Sequence, residues 1–540
     1  MKTFAFARII APGLLLATAA CGLGGGDPLA NAEEAFAERD YHAARLELAK
    51  ALKETPDDQR ALYLNAKTLL ALGDGVSARY AISKLAADGP YAAEKPLLLG
   101  EAALAEQKFD EALRHAEEGD GPEAARIATL ALMQLDRPAE GIARLEAGIA
   151  AHPGDARLLA LRGALALAER KLSLAKDYSA RALAADGEAL DALMLAGQLR
   201  VMRQDYAGAR EFYARAVEHN PSSLDALFAL AATEADRGEG EAARKLLDDV
   251  LARAPGHPLA VLLQAKLDFA DGKLDPVRAT LRQNERLLAE LPEGRLLMGE
   301  VAHLDGLHQQ AIAHLREVLK AYPGHAQAST VLAQSFDATG EKAEAFATIR
   351  PIADRATASP QALALASRLA DSTGADNPYK ARRALQRDGE YVALLRTADR
   401  ALSNGENEKA ASQYDTLRAR GGDGDPLVLN NAAVALDRLG RKGEAFSLAQ
   451  RAHALTPDDP QVQDTLGWTM LRAGGNKARA LSLIRSASNA VPGNLQIRWH
   501  LANALAENGQ RAEAKRLIAD IREFAAPQQR AEFDRLLARL

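Results

Sequence analysis

Five glycines, Gly238, Gly272, Gly306, Gly340 and Gly374, recur at a spacing of 34 residues in a chain of 540 that contains only 40 glycines. A fixed period of this length means a structural unit copied along the chain, each copy packing on its neighbours. Seven residues before each glycine stands a small residue: Ala231, Ala265, Gly299, Ala333 and Ser367. The same column runs upstream through Ala32, Ala66, Gly100, Thr129, Gly163 and Gly197, and downstream through Ala398, Ala433, Gly467 and Ala502, which implies about fifteen units.

A second small column lies five residues after the glycine, as at Ala243, Ala311 and Ala345, and it extends to Ala44, Ala78, Ala112, Ala175, Ala209, Ala410, Ala445 and Ala514. Proline often closes the unit, as at Pro56, Pro153, Pro221, Pro255, Pro323 and Pro457. The order fits two antiparallel helices per unit. Glycine ends the first in a conformation that disfavours Cβ, proline opens the turn into the next unit, and the small columns mark the helix crossing. Before Gly238 the turn position holds Arg39, Gln107, Asp136, Arg170 and Gln204. Composition agrees with an all-α fold: hydrophobic residues are 48% of the chain and aromatic residues only 5%, a mixture suited to amphipathic helices in close contact rather than to β-rich cores.

These columns resemble the tetratricopeptide repeat (TPR), most closely at Asn430 to Pro457, NNAAVALDRLGRKGEAFSLAQRAHALTP. The resemblance covers about Leu29 to Arg522 and implies a TPR α-solenoid. The register shortens to 29 between Gly100 and Thr129 and to 31 between Ser367 and Ala398; the second slip coincides with Asp371-Ser-Thr-Gly-Ala-Asp-Asn-Pro378. A kink there separates an N-terminal array, residues 29–378, from a C-terminal array, residues 379–527. Residues 528–540 form a capping helix with Phe533, Leu536, Leu537 and Leu540 on its apolar face.

The N-terminus reads as an address. Lys2 and Arg8 precede an apolar stretch from Ile9 to Ala20, too short for a comfortable membrane span of about 20 apolar residues and shaped like a cleaved signal over residues 1–20. Cys21, the single cysteine, follows Thr18-Ala19-Ala20 and resembles the lipobox cysteine of bacterial lipoproteins, which implies acylation. Residues 21–28 would be a glycine-rich lipidated tether, reaching at most about 25 Å when extended.

Net charge is -6 without a run of lysines and arginines, which argues against nucleic-acid binding. The closest histidine cluster, His303, His308 and His314, lacks the i, i+4 pairing of metal-ligand helices. His257 and His325 each follow Pro-Gly in loops between units. GxSxG, HExxH and CxxC are absent, so neither an enzyme nor a cofactor is expected. The TPR resemblance implies instead a groove lined by first helices. Its inward positions hold Asn430, Asp464, Trp468, Trp499 and Asn503, the candidate partner-binding residues. The two tryptophans, on consecutive units, should approach each other across the groove. They could anchor a peptide, stack on a sugar, or fill gaps between helices.

Asp464-Thr-Leu-Gly-Trp468 and Ile497-Arg-Trp-His-Leu-Ala502 resemble the end of TPR lipoproteins associated with exosortase and exopolysaccharide export in Gram-negative bacteria. That resemblance implies a scaffold on the periplasmic face of the outer membrane, with protein partners and polysaccharide as candidate ligands. The alternative is a pilus or secretin assembly lipoprotein that binds subunits as a chaperone.

Overall fold

The computed structural model describes residues 27–522 and 527–540, so Cys21, the signal segment and most of the tether lie outside the described residues. Every regular element among the described residues is helical. The first four helices are α1 (Pro28–Ala37), α2 (Tyr41–Glu54), α3 (Gln59–Ala71) and α4 (Gly75–Ser83), and the pairing continues to Leu495–Glu507 with Arg511–Arg522. Fifteen hairpins result, matching the number implied by the small-residue column, and a last helix, Pro527–Arg539, follows them. The eighth hairpin carries an additional short helix, Glu285–Ala289.

Each hairpin turns through one left-handed residue. At ten turns it is glycine, from Gly73 (φ 76°) to Gly509 (φ 77°); at the other five it is Arg39, Gln107, Asp136, Arg170 or Gln204, with φ between 58° and 61°. The five non-glycine residues at the turn position therefore adopt the same backbone as the glycines, although a Cβ makes that conformation costly by roughly 1–2 kcal/mol. Two hydrogen bonds fix the turn: at Gly238, its N–H donates to Ala235 O and the next N–H, of Glu239, donates to Glu234 O. This is the Schellman arrangement, which satisfies the last carbonyls of the first helix. Helix starts are capped in turn by short polar side chains, among them Asp58, Asp205, Ser359, Asp388 and Asn494, which accept otherwise unpaired N–H groups.

The two small columns are the helix crossings. Ala66, Ala265, Ala333, Ala433 and Ala502 of the first column and Ala78, Ala243, Ala345 and Ala445 of the second are all fully buried. A Cβ added at Gly197 would lie 2.4 Å from the Tyr213 ring, and one at Gly299 would lie 2.6 Å from Leu315. Glycine at those positions is thus imposed by the approach of the second helix, not by the turn.

The described residues divide into two compact bodies, one holding those up to 164 with 177–230, the other 165–176 with those from 231 onward. In the first body the array meets itself after several hairpins. Arg39 donates to Glu188 O at 3.1 Å and to Asn220 Oδ1 at 3.2 Å, and Tyr41 N–H donates to Ser222 Oγ at 2.9 Å. In the second body, Pro378 immediately precedes the nine-residue helix Tyr379–Arg387. Arg382 of that helix is buried and donates to the carbonyls of Ala353, Arg355 and Ala356, while Ala356 N–H donates to Asp459 Oδ2 at 2.7 Å. At the C-terminal end of this body Phe533 and Leu536 are buried with Ala502, Ile518 and Ile521.

Candidate functional site

The richest grouping of polar and aromatic side chains lies on the first helices of the last three hairpins, Pro426–Arg438, Pro460–Arg472 and Leu495–Glu507. Asp464, Trp468 and Arg472 are spaced i, i+4, i+8 and therefore share one face of the middle helix. Gln496 and His500 do the same on the next. Together with Asp437, Arg438 and Trp499 they line a cavity of about 480 Å³.

The lining is pinned from below. His500 Nδ1 lies 2.8 Å from Asp464 Oδ2, and both residues are buried. An ionised carboxylate only accepts, so Nδ1 carries the proton and Nε2 is left to accept from the Gln496 amide at 2.8 Å. Trp468 stacks on the His500 ring, centroids 4.0 Å apart, and its Nε1–H donates to Asp437 Oδ2 at 3.1 Å. Arg472 completes the group, donating to Asp437 Oδ1 at 2.8 Å with its guanidinium 5.8 Å from the indole centroid. Both carboxylates are engaged and both imidazole nitrogens have partners. Such a set presents shape, an aromatic ring and two cations, Arg438 and the Asp437-paired Arg472, which is what recognition of a ligand uses.

The remaining candidates fall differently. Trp499 lines the same cavity, but its ring stacks on Phe533 of the last helix at 4.5 Å, so each indole packs on a different ring rather than on the other. Asn503 donates from Nδ2 to Trp499 O at 2.9 Å, within its own helix. Asn430 is buried, donates to Asn431 Oδ1 at 3.2 Å and leaves its own Oδ1 without a hydrogen-bond partner. The histidines take structural places: His303 Nδ1 is 2.9 Å from Ser335 Oγ and its ring is 5.2 Å from that of His308, while His257 and His325 cap helices through Nδ1.

Two tetratricopeptide-repeat family models match the chain, one at residues 200–267, 302–369 and 471–540, the other at 29–93 and 395–460. With fifteen helical hairpins already in place, this decides the fold family. The chain is a tetratricopeptide-repeat protein. No curated protein matches it. Among solved structures, this TPR protein is similar to the anaphase-promoting-complex hetero-tetramer Cut9–Hcn1, at 13% identity over 88% of this chain and 96% of that one, with a TM-score of 0.31. It is also similar to PilW, a type IV pilus biogenesis factor, at 17% identity over 39% and 98% of the two chains and a TM-score of 0.34. Pseudomonas aeruginosa pilF is similar at 17% identity over 45% and 97%, with a TM-score of 0.31.

The TPR phase found Asp464, Trp468 and Trp499 but missed Asp437, Arg472, Gln496 and His500. Arg472 could have been found by stepping four residues from Trp468, and Gln496 by stepping four back from His500. The Asp437 and His500 contacts join different hairpins, and no spacing within a repeat reports them. A second cavity, of about 440 Å³, lies in the first body, where Arg126, Arg157, Asp191, Gln198 and Tyr213 line it together with apolar Leu130, Leu161, Met194 and Leu195. Beside it Arg126 is paired with Glu101 and, at 2.7 Å, with Glu123, while Arg157 is 2.7 Å from Glu123. Burial pushes the Glu101 carboxyl up to about 7 against the pull of Arg126, with the neighbouring Glu123 charge adding to the rise. At Glu123 burial acts in the same sense, but Arg126 and the hydrogen bond shared with Glu101 outweigh it and hold the carboxyl below its usual range.

Proposed function

We propose that this TPR protein is an outer-membrane lipoprotein, tethered through Cys21 and facing the periplasm, that scaffolds an envelope complex of exopolysaccharide secretion or outer-membrane assembly. The observation that carries the binding part is the cavity at Trp468: an indole held flat by His500 and Asp437, with the Arg472 guanidinium beside it. A protein segment bearing an aromatic side chain fits that lining. Trp468 supplies rigid apolar area at little entropic cost. The envelope part is carried by the sequence of the signal segment and Cys21.

The test is affinity capture from envelope fractions with the full chain and with its Trp468→Ala variant, alongside membrane partition of Cys21→Ser. Polysaccharide-export proteins captured by the parent chain and lost from the variant bear the reading out. Pilins or a secretin in their place would establish the pilus or secretin assembly role. A Cys21→Ser chain that stays with the membrane as firmly as the parent would refute the anchor.

A further inference from the structure

The outward face of the first two hairpins differs from every later one in a specific way. Leu46 and Tyr80 each stand two residues after the second small column, Ala44 and Ala78, so they occupy the same place on α2 and α4. They are 61% and 67% exposed, and Val76, one turn before Tyr80, is 71% exposed. Later hairpins put a charged or a small residue at this place: Arg114, Asp177, Glu211 and Lys245, all exposed, and elsewhere alanine or serine, as at Ala143, Ala313, Ala347, Ser412 and Ser447. Three large apolar side chains on the second helices of the first two hairpins are thus open to solvent.

Basic side chains stand beside these residues in a chain of net charge -6. Arg45, Lys50 and Lys53 are exposed along α2 and Lys84 follows α4, against exposed Glu54 and partly buried Glu47, which pairs with Lys50 at 2.5 Å. The Lys84 ammonium sits 5.3 Å from the Tyr80 ring centroid. Leucine, valine and tyrosine framed by long cationic side chains form the pattern of a surface that lies at a lipid headgroup boundary. The rings and aliphatic groups enter the interface, while lysine stems reach back to the phosphates. No helix among the described residues is long and apolar enough to cross a membrane, so contact of this kind would be peripheral.

We propose that the outward face of α2 and α4 docks on an anionic bilayer, laying the first two hairpins against the membrane. The proposal goes beyond the anchoring reading of Cys21 and does not need it, since charge and apolar area on the folded repeats suffice for the contact. With an acyl anchor in place the two act together, the short tether raising the local concentration of the face at the surface.

The test places a polarity-sensitive fluorophore on Leu46→Cys in the full chain carrying Cys21→Ser, with Lys245→Cys as the equivalent position in a later hairpin. On vesicles of phosphatidylcholine with one-third phosphatidylglycerol, the probe at 46 should shift to the blue and resist an aqueous quencher, while the probe at 245 stays in water. Pure phosphatidylcholine should give a weaker shift. Replacing Lys50 and Lys53 with glutamine should lower the fraction of shifted probe, about fivefold in partition for each cation removed. Equal water exposure at 46 and 245 on anionic vesicles would overturn the proposal. So would shielding of position 46 before vesicles are added, which would mean that Ile9–Ala20 or a second copy covers the face, or shielding only by an envelope protein extract. Mass analysis of Cys21 in the native chain separates the readings: an unacylated Cys21 with a lipid-shielded position 46 removes the anchor and leaves this face standing.

Discussion

The Trp468 indole lies flat on the His500 imidazole, with ring centroids 4.0 Å apart and planes 12° from parallel. The pair joins two consecutive hairpins. Asp464, one turn before Trp468 on the same helix, holds the imidazole from its other side through Nδ1. One face and the N–H edge of the indole are therefore committed to the protein while the rest of the ring lines the cavity, whereas Trp499 is committed to Phe533.

Trp468→Ala and Trp499→Ala should accordingly fail in different ways. Truncating Trp468 should weaken partner binding by about 2 kcal/mol or more, roughly 30-fold, with a small loss of stability. Truncating Trp499 removes the ring on which Phe533 rests and should cost about 3 kcal/mol, seen first as loosening of the helix Pro527–Arg539. Thermal unfolding and partner affinity measured on both variants separate the two effects. A collapse of stability in Trp468→Ala with normal binding by the folded fraction would make that residue a packing residue and remove it from the proposed site.

Gly467 lies where a Cβ would meet Ile484 Cγ1 at 2.6 Å and Ala480 O at 2.9 Å. Gly467→Leu should destabilise the fourteenth hairpin by about 3 kcal/mol, at the upper end of ordinary overpacking. Because hairpins couple to their neighbours, exchange of amide protons should rise first in Pro460–Arg472 and Lys477–Ala490. Ile484→Ala should recover part of the loss in Gly467→Ala, since the clash is with that side chain. Equal protection in the parent and Gly467→Leu would refute the assigned crossing.

Gln204 holds a left-handed turn at φ 58° that ten glycines hold elsewhere. Gln204→Gly should stabilise its hairpin by about 0.5–1 kcal/mol, the left-handed strain removed less the extra freedom of glycine in the unfolded chain. Denaturant unfolding measures it. The same change at Arg39 should destabilise instead, because its guanidinium also holds Glu188 O and Asn220.

Glu101 titrates upward, to about 7 from an ordinary 4.5, because folding buries it beside Glu123. Between those values the folded chain keeps a proton that the unfolded chain releases, so the contribution of Glu101 to stability is complete below pH 4.5 and is lost as pH rises through about 7. Glu123 moves the other way, and its contribution is lost only as pH falls below the ordinary carboxylate range. Amide exchange in Lys95–Ala105 and Gly121–Gln134 should therefore be slower at pH 5.5 than at pH 8, after correction for intrinsic rates. Glu101→Gln should flatten that difference. A parent chain with no pH dependence in these helices contradicts the burial assigned to Glu101.

The 34-residue period determined the helical hairpin, its crossing and its turn, down to the five side chains at left-handed positions, because each of these is fixed within about one repeat of sequence. Alanine at a crossing and glycine at a turn answer to neighbours only a few residues away, and periodicity records them directly. Tertiary structure alone decided what happens between hairpins. The Asp464 to His500 pair, the seat of Trp499 on Phe533 and the bonds from Arg39 to Asn220 and from Ala356 to Asp459 all depend on the rotation from one hairpin to the next. That rotation is small at each step and accumulates along the array, so a difference too slight to mark any single repeat determines which distant side chains meet.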